Sequence, residues 1–257
     1  MKVALIAHTP DPEHVLAAAA RLCYSSADIA TVMESLTPEK TAEFVGKLAA
    51  LGHESPIEHV SFTFGIEGVS RSLLAQITRH RIASYSVQSQ RYVREKMFEY
   101  VVPPEIEKEP QAKAIFLAAM EEDQRHYEEL TAILKEKHLK EMLSKGLTEK
   151  AAASAAEKRA IEDARFVLPN ACTTKIMMTM NARSLMNFFH HRCCNRAQWE
   201  IRSVAWQMLA LAYEAAPALF GKAGPGCLRG ACPEGRKCCG HSDEVRARFE
   251  EIKNAKR

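Results

Sequence analysis

Apolar and polar residues follow regular patterns along the chain, and several of these patterns predict strands. Residues 3–8 form a short, branched apolar run that predicts a strand, and a proline-containing turn leads from it into a helix over residues 12–24. Residues 60–69 alternate between apolar and polar side chains, which is the period of a strand with one buried face. Residues 92–102 and 173–180 predict two further strands.

Helical periodicity covers most of the remaining chain, in segments 38–51, 71–78, 110–137, 150–164, 182–194, 197–213 and 242–257. Thr37, Ser70 and Asn181 each stand where a polar side chain caps the first turn, and Gly52 is a stop signal. The last of the helical segments is charged, and we expect it to be solvated. Together the elements predict an α+β fold with a mixed or antiparallel sheet flanked by long helices.

Composition limits the class of protein. A chain of 257 residues with 47% hydrophobic content can bury one large core, so we predict a domain over residues 1–220 and a cysteine-rich, charged tail over residues 221–257. The first apolar run is too short for a signal peptide, and no apolar run has the length of a membrane span. We therefore expect a cytoplasmic protein whose eight cysteines are thiols or metal ligands.

Charge is nearly balanced overall but not in one segment. The formal net charge is +3, with 26% charged residues, and does not by itself favour binding to nucleic acid or to a membrane surface. Residues 79–91, however, combine Arg79, Arg81 and Arg91 with His80 and several hydroxyl and amide groups. Because guanidinium groups match the paired oxygens of phosphate and carboxylate, this segment predicts an anion site. The interleaved basic and aromatic residues of 79–94 leave a single-strand nucleic-acid surface as the alternative.

The helix predicted after Asn181 carries a second polar set. Arg183 and Asn187 lie four residues apart and share a face, whereas Arg192 lies five residues beyond Asn187 and points elsewhere. The helix can therefore contact two different partners, and a solvated polar face is the alternative explanation.

The sequence contains no common metal-binding or phosphate-loop motif, although a metal site in the tail stays open. Residues 53–59 contain two histidines and two glutamates, but their spacing matches no common metal motif, and they indicate a ligand-binding or capping turn. The tail carries Cys227, Cys232, Cys238 and Cys239 at irregular spacing, so that structural zinc and free thiols both stay open. We include no metal in the predicted site. No phosphate-binding glycine loop and no Gly-x-Gly-x-x-Gly turn occurs, which argues against P-loop and Rossmann proteins.

Taken in order, these motifs resemble those of the flavin-dependent thymidylate synthases. The signature of that family is Arg-His-Arg, two residues, Ser, four residues, Ser, one residue and Arg, and residues 79–91 match it. Residues 53–59, 165–169 and 181–200 are similar to the family's preceding turn, its later arginine segment and its helix pair. The resemblance covers roughly residues 50–210 in the same order.

The resemblance implies an enzyme that methylates dUMP to dTMP, with methylenetetrahydrofolate as carbon donor and FAD as carrier of reducing equivalents from NADPH. It also implies a homotetramer with active sites between subunits, and no nucleic-acid or membrane partner. The flavin-binding positions that it implies are Ser55, Arg79, His80, Arg81, Asn181, Arg183 and Asn187. The implied dUMP-binding positions are Gln76, Arg79, Val87, Gln88, Ser89, Gln90, Arg91, Arg165 and Arg192, of which Arg192 is the catalytic contact to the pyrimidine.

The implied roles agree with the chemistry of these residue types. Two phosphate-bearing ligands account for arginines on separate segments, and a guanidinium beside the uracil carbonyl stabilises negative charge on the ring. The flavin supplies the hydride chemistry, so that no cysteine nucleophile is needed and Ser89 is assigned to nucleotide binding. Ser86, Val87 and Gln90 differ from the residues common in the family, so side-chain contacts are not carried over there, and Val87 and Gln88 are left with backbone contacts.

Overall fold

The structure is a computed structural model that describes residues 1–51, 54–91 and 98–255, with only the backbone described at residues 49–51. The chain divides into two compact units. The first unit comprises Met1–Ile66, Gln76–Ser86 and Met177–Arg257, and the second comprises Glu67–Ala75 and Val87–Ile176. The predicted boundary between a domain over residues 1–220 and a tail over residues 221–257 stays a prediction.

Four strands form an antiparallel sheet: β1 (Lys2–His8), β2 (Ser61–Ser70), β3 (Ser84–Val87) and β4 (Thr173–Asn181). Their order in the sheet is β1-β2-β4-β3. Alternate side chains of β2, including Phe62, Phe64 and Ile66, are fully buried, as are Met178 and Met180 of β4. The strands predicted over residues 3–8, 60–69 and 173–180 are thereby confirmed.

The strand predicted over residues 92–102 is wrong where the structure describes it. Residues 92–97 lie outside the described part of the chain, and residues 98–102 form no strand but only an isolated bridge between Tyr100 and Cys172. The Val101 N–H donates to the Ala171 carbonyl at 2.9 Å, next to that bridge. The four-residue strand β3 was not predicted, because so short a segment shows no clear period and its pairing partner is distant in sequence.

Helices form wherever the sequence predicted them. Their bounds are α1 (Pro12–Leu22), α2 (Ile29–Glu34), α3 (Pro38–Leu51), α4 (Arg71–Ile77), α5 (Pro104–Lys108), α6 (Pro110–Ser144), α7 (Glu149–Ala164), α8 (Ala182–Arg192), α9 (Trp199–Ala215), α10 (Pro217–Phe220) and α11 (Ser242–Asn254). Three short helices, α2, α5 and α10, were not predicted, and α6 continues beyond its predicted end at residue 137.

The predicted caps are present as hydrogen bonds. The Ser70 hydroxyl accepts from the Leu73 N–H at 3.0 Å, and the Asn181 Oδ1 accepts from the Ser184 N–H at 2.8 Å. These bonds satisfy N–H groups that have no partner within the helix, and thus fix where α4 and α8 begin. The start of α8 matters most, because it carries several of the predicted site residues.

The first unit also holds the C-terminal helix α11 against its core. Val245 and Phe249 are only 4% and 3% exposed, and the Phe249 ring lies 6.1 Å from that of Tyr213. The Arg248 guanidinium lies 4.7 Å from the ring centroid of Trp206. The expectation of a solvated helix is therefore wrong on one face, because two apolar residues four positions apart form a stripe that packs against α9.

In the second unit α6 and α7 pack as a helical hairpin. The face of α7 toward α6 is built of alanines, among them Ala152, Ala156 and Ala160, which are completely buried. Gly146 makes the turn between the helices with φ of +82°, a conformation that glycine adopts without steric cost. None of the helices within the described residues combines the length and apolar character that a membrane crossing requires.

Candidate functional site

A large cavity lies within the first unit. Its volume is about 1030 Å³, at the upper end of the range of about 300–1,000 Å³ that is usual for ligand sites. Six of the seven predicted flavin-binding residues line it, namely Arg79, His80, Arg81, Asn181, Arg183 and Asn187. Ser55 is exposed and sits in the chain between two lining positions, Glu54 and Ile57, but is not itself part of the lining.

The turn that presents Arg79, His80 and Arg81 to the cavity is held by a tyrosine. The Tyr85 hydroxyl donates to the Ile77 carbonyl at 2.7 Å and lies 2.9 Å from the His80 carbonyl. Burial raises the pKa of Tyr85 to about 12, so its hydroxyl stays protonated and available as a donor at neutral pH. The sequence placed Tyr85 only among the aromatic residues of the nucleic-acid alternative, and its role in holding this turn was not predicted, because the role depends on how the chain folds.

His80 and Arg192 meet although 112 residues separate them in sequence. The Arg192 Nε donates to the His80 Nε2 at 3.0 Å, and the His80 ring packs edge-on against Phe188 at 4.9 Å. Burial, together with the positive charges of Arg192, His191 and Arg79, lowers the pKa of His80 to about 4. His80 is therefore neutral at physiological pH and accepts a hydrogen bond at Nε2.

In the described part of the chain, the arginines around His80 form no ion pair with a carboxylate. Burial lowers the pKa of Arg192, and the positive charge of Arg79 lowers it further. Within residues 1–51, 54–91 and 98–255, no carboxylate forms an ion pair with Arg79, Arg81 or Arg192. Like charges gathered in a partly buried site are unfavourable unless an anion neutralises them. The arrangement thus fits the predicted anion site.

Among the arginines that line the cavity, Arg183 is the one that forms ion pairs with carboxylates in the described residues. Its Nε donates to Glu54 Oε2 at 3.0 Å, and its Nη1 donates to Glu58 Oε1 at 2.5 Å. These contacts raise the pKa of Arg183, the hydrogen bond with Glu58 most strongly. All three side chains are exposed, so the ion pairs orient the guanidinium more than they stabilise the fold. Both glutamates belong to the predicted ligand-binding or capping turn, but their ion pairs with Arg183 were not predicted.

The cysteine-rich segment contributes part of the cavity wall, which was not predicted. Lys222, Gly224 and Arg229 line the cavity, and the Arg229 Nη2 lies 3.5 Å from the His190 Nδ1. Gly226 permits this approach, since a Cβ there would lie 2.6 Å from a Pro233 carbon and 3.3 Å from the His190 ring. The tail therefore adds two cations to the cavity.

The second unit gathers two of the arginines predicted to bind dUMP. The Arg91 Nε lies 2.7 Å from Glu162 Oε1, and the Arg165 Nε donates to the Glu162 backbone carbonyl at 3.0 Å. The Ser89 hydroxyl accepts from the Arg91 N–H at 3.2 Å, which shapes the turn between them. Ser89, Arg91 and Arg165 are thus brought to the C-terminal end of α7.

The other residues that were predicted to contact dUMP are less clearly gathered at one place. The Gln88 N–H donates to the Lys175 carbonyl at 3.0 Å, and the Gln88 carbonyl accepts from Arg71 Nη2 at 2.9 Å. Val87 and Gln90 are half-buried, and Gln76 lies on α4 in the first unit. His53 of the predicted turn, and Arg94 of the nucleic-acid alternative, lie outside the described residues. Elsewhere, in the described part of the chain, no three His, Cys, Asp or Glu side chains are arranged to hold a metal ion.

By its fold and its cavity, the protein is an α+β protein with a large ligand site that is lined by cationic side chains. Residues 4–218 match the family model described as "Thymidylate synthase complementing protein". The flavin-dependent thymidylate synthase of Clostridium tetani is 53% identical over 96% of each chain, and that of Geobacter sulfurreducens is 47% identical over 98% of this chain and 99% of its own. The chain belongs to the flavin-dependent thymidylate synthase family, as its motifs predicted.

Solved structures agree on the fold. A flavin-dependent thymidylate synthase from Helicobacter pylori, whose crystal structure contains FAD and dUMP, aligns with a TM-score of 0.59 and 24% identity. The alignment covers 87% of this chain and all of that one. The predicted α+β fold with a sheet and flanking helices is confirmed.

Proposed function

We propose that the protein methylates dUMP to dTMP reductively, with FAD as the redox cofactor, methylenetetrahydrofolate as the carbon donor and NADPH as the source of reducing equivalents. Membership of the family supports the reaction, as do relatives of the same name that align along nearly the whole chain. The observation that carries the proposal is the cavity lined by Arg79 and Arg81, which, like Arg192 beside His80, have no carboxylate partner in the described residues. The nucleic-acid alternative is no longer needed to account for these cations.

The residues of the cavity fit FAD. Its pyrophosphate needs cationic donors, which Arg79 and Arg81 supply from the turn after α4, with Lys222 and Arg229 on the tail side. Apolar side chains that also line the cavity, among them Leu16, Val45 and Ile57, suit an aromatic ring system. The bound flavin would supply hydride transfer, and the protein would orient it and exclude water.

Asn181, Arg183 and Asn187 are proposed to hold the flavin from α8. The Asn181 Oδ1 is used for the cap of α8, so its amide N–H groups are the part available to a ligand. Arg183 is fixed in direction by Glu54 and Glu58. Ser55 follows Glu54 directly and is proposed to contact the flavin at the edge of the cavity.

Arg192 is proposed to act on the pyrimidine. Its Nε is committed to His80, so the two Nη groups are left to donate to a uracil carbonyl. Because His80 is neutral, it adds no further positive charge to the site. Its Nε2 accepts the hydrogen bond that fixes the Arg192 guanidinium. Negative charge that develops on the ring would be stabilised by this fixed cation.

Binding of dUMP is proposed to use Ser89, Arg91 and Arg165, with Val87, Gln88 and Gln90 beside them. Arg91 would exchange Glu162 for the phosphate, since both are oxyanions that match a guanidinium. Both backbone groups of Gln88 already have partners, so its second carbonyl lone pair and its side chain are what it can offer. The resemblance assigns Gln76, Arg79 and Arg192 to the same substrate.

Assembly as a homotetramer and a cytoplasmic location also remain predictions.

An anaerobic assay tests the proposal. Purified protein should be yellow with a flavin absorbance band, and it should form dTMP from dUMP, methylenetetrahydrofolate and NADPH. Omission of each co-substrate in turn assigns its role. A colourless protein that cannot be reconstituted with FAD would refute the proposal.

A further inference from the structure

Five thiols surround a second, much smaller cavity in the first unit. Cys194, Cys227, Cys232, Cys238 and Cys239 line it, and its volume of about 10 Å³ is that of a single water-sized probe. Each of these five cysteines is a free thiol in the structure. The proposed reaction uses none of them, so this cluster needs an account of its own.

Two of the five thiols are paired by a tight turn. The Cys232 and Cys238 side chains both line the small cavity, and a hydrogen bond between the two thiols accounts for part of the shift in the pKa of each. The chain between them folds back through the 3-10 turn Gly235–Lys237, in which the Cys238 N–H donates to the Gly235 carbonyl at 3.0 Å. Gly235 has a φ of +52°, which favours glycine and lets the chain reverse. The turn thus brings two thiols together that are six positions apart.

Contacts from outside hold this turn in place. The Arg196 Nη1 donates to the Lys237 carbonyl at 2.7 Å, directly before Cys238. On the other side of the turn, Arg246 donates to the Cys227 carbonyl at 3.1 Å and to the Gly230 carbonyl at 3.0 Å. Because the loop is anchored at both ends, the two thiols stay close without a covalent bond between them.

The two thiols have different environments. Cys238 is exposed, and the Gly240 N–H donates to its Sγ at 3.4 Å; this bond, followed by the one with Cys232, lowers the pKa of Cys238. For Cys232, a hydrogen bond with the Glu234 backbone lowers the pKa, but the bond with Cys238 and the neighbouring thiols outweigh it and the pKa is raised. An exposed thiol with a lowered pKa beside a thiol with a raised pKa is the arrangement of a nucleophilic and a resolving cysteine.

We propose that Cys232 and Cys238 form a redox-active dithiol that small organic disulfides oxidise to an intramolecular disulfide. The Cys238 thiolate attacks one sulfur of the disulfide RSSR, forms a mixed disulfide and releases RS⁻. The Cys232 thiol then loses its proton and attacks the Cys238 sulfur, which releases the second RS⁻. In total two protein thiols are oxidised to one disulfide, and RSSR is reduced to two RSH.

Metal binding is the competing use of these sulfurs. A structural zinc site needs four ligands in a tetrahedral arrangement, and the described residues contain no set of three or more such side chains placed for an ion. The position of Cys232 and Cys238 at the same small cavity, with a tight turn between them, therefore favours the dithiol.

Peptide mapping of the full-length protein tests this proposal. The protein is incubated with oxidised glutathione at neutral pH, its remaining thiols are alkylated, and it is digested with trypsin. Because Arg229, Arg236, Lys237 and Arg246 are cleavage sites, the disulfide should join peptide 230–236 to peptide 238–246. Treatment with dithiothreitol before alkylation should abolish the joined species.

Single substitutions assign the bond. Cys238→Ser and Cys232→Ser should each lose the joined peptides completely, whereas the matched control Cys239→Ser should keep them, since Cys238 is then the sole thiol of its peptide. The Cys239→Ser result also decides the matter if one of the other variants fails to fold. No joined species, joining that persists in Cys238→Ser, or stoichiometric zinc that disappears in Cys232→Ser would each overturn the proposal. Loss of dTMP formation has no bearing on it, so the two proposals fail separately.

Discussion

Arg192 donates a hydrogen bond from Nε to the Nε2 of His80 at 3.0 Å, and thereby links the end of α8 to the cationic segment 79–91. This bond requires an unprotonated Nε2, in agreement with the low pKa of His80. It fixes the direction of a guanidinium that has no carboxylate partner in the described residues. A cation that is positioned but not neutralised is suited to charge that appears during a reaction.

Arg192→Ala is expected to retain flavin but to lose most dTMP formation. Removal of one group that stabilises developing charge costs on the order of 10²–10³ in kcat. The flavin absorbance per protein and the rate of dTMP formation are the measurements. Arg125→Ala, on the exposed face of α6, is the control and should be unaffected. Normal turnover by Arg192→Ala would show that the assignment to the pyrimidine is wrong.

The titration of His80 should be visible in its NMR signals, with a pKa near 4 and well below the usual 6.5. Arg192→Gln should raise that pKa, although burial, the larger cause, remains. Above pH 6.5 the imidazole is neutral in the folded and the unfolded chain, so it gives no pH dependence there. As pH falls from 6.5 to about 4, the unfolded chain takes up the proton first, and the folded state loses stability.

Urea unfolding across the same pH interval checks the sign of this effect. His80→Gln should lack the component of pH dependence that His80 contributes, and the difference between the two proteins should grow as the pH falls. An unchanged pH profile in His80→Gln would contradict the assignment.

Tyr85→Phe should lower the free energy of unfolding by about 1–2 kcal/mol, because it removes the hydroxyl that holds the Ile77 and His80 carbonyls while it keeps the ring. The turn that presents Arg79 and Arg81 would loosen, and we expect a lower ratio of flavin to protein after purification. Tyr213→Phe is the matched control, since in the described residues its hydroxyl makes no hydrogen bond. Equal flavin content in both variants would argue against a positioning role for Tyr85.

Arg81→Ala and Arg91→Ala are expected to affect different ligands. Arg81 lines the cavity, and loss of a charge-assisted bond of about 1.5–3 kcal/mol should weaken flavin retention by roughly 10- to 100-fold. Arg91→Ala should keep the flavin and raise the KM for dUMP by a similar factor. Arg159→Ala on α7 is the control for the latter. If both variants lost the same ligand, the division of roles would be wrong.

Local patterns were sufficient for most elements of the fold. The alternation of β2 and the caps at Ser70 and Asn181 could be predicted because each depends on residues a few positions apart. The strand predicted over residues 92–102 was wrong where it is described, and β3 was missed, because the pairing of short segments depends on partners distant in sequence. The apolar stripe of α11 shows the same limit, since its packing partner Tyr213 lies on another helix.

The sequence by itself determined the family, the longer helices and most of the cationic and polar residues of the site, because signature spacing and helical period are properties of neighbouring residues. Only the tertiary structure decided that Arg192 meets His80, that Glu54 and Glu58 orient Arg183, and that Tyr85 fixes the turn. It alone made the cysteine-rich segment a wall of the large cavity and brought Cys232 and Cys238 to the same small cavity. Such contacts depend on how separate elements pack, and no local pattern in the chain encodes that geometry.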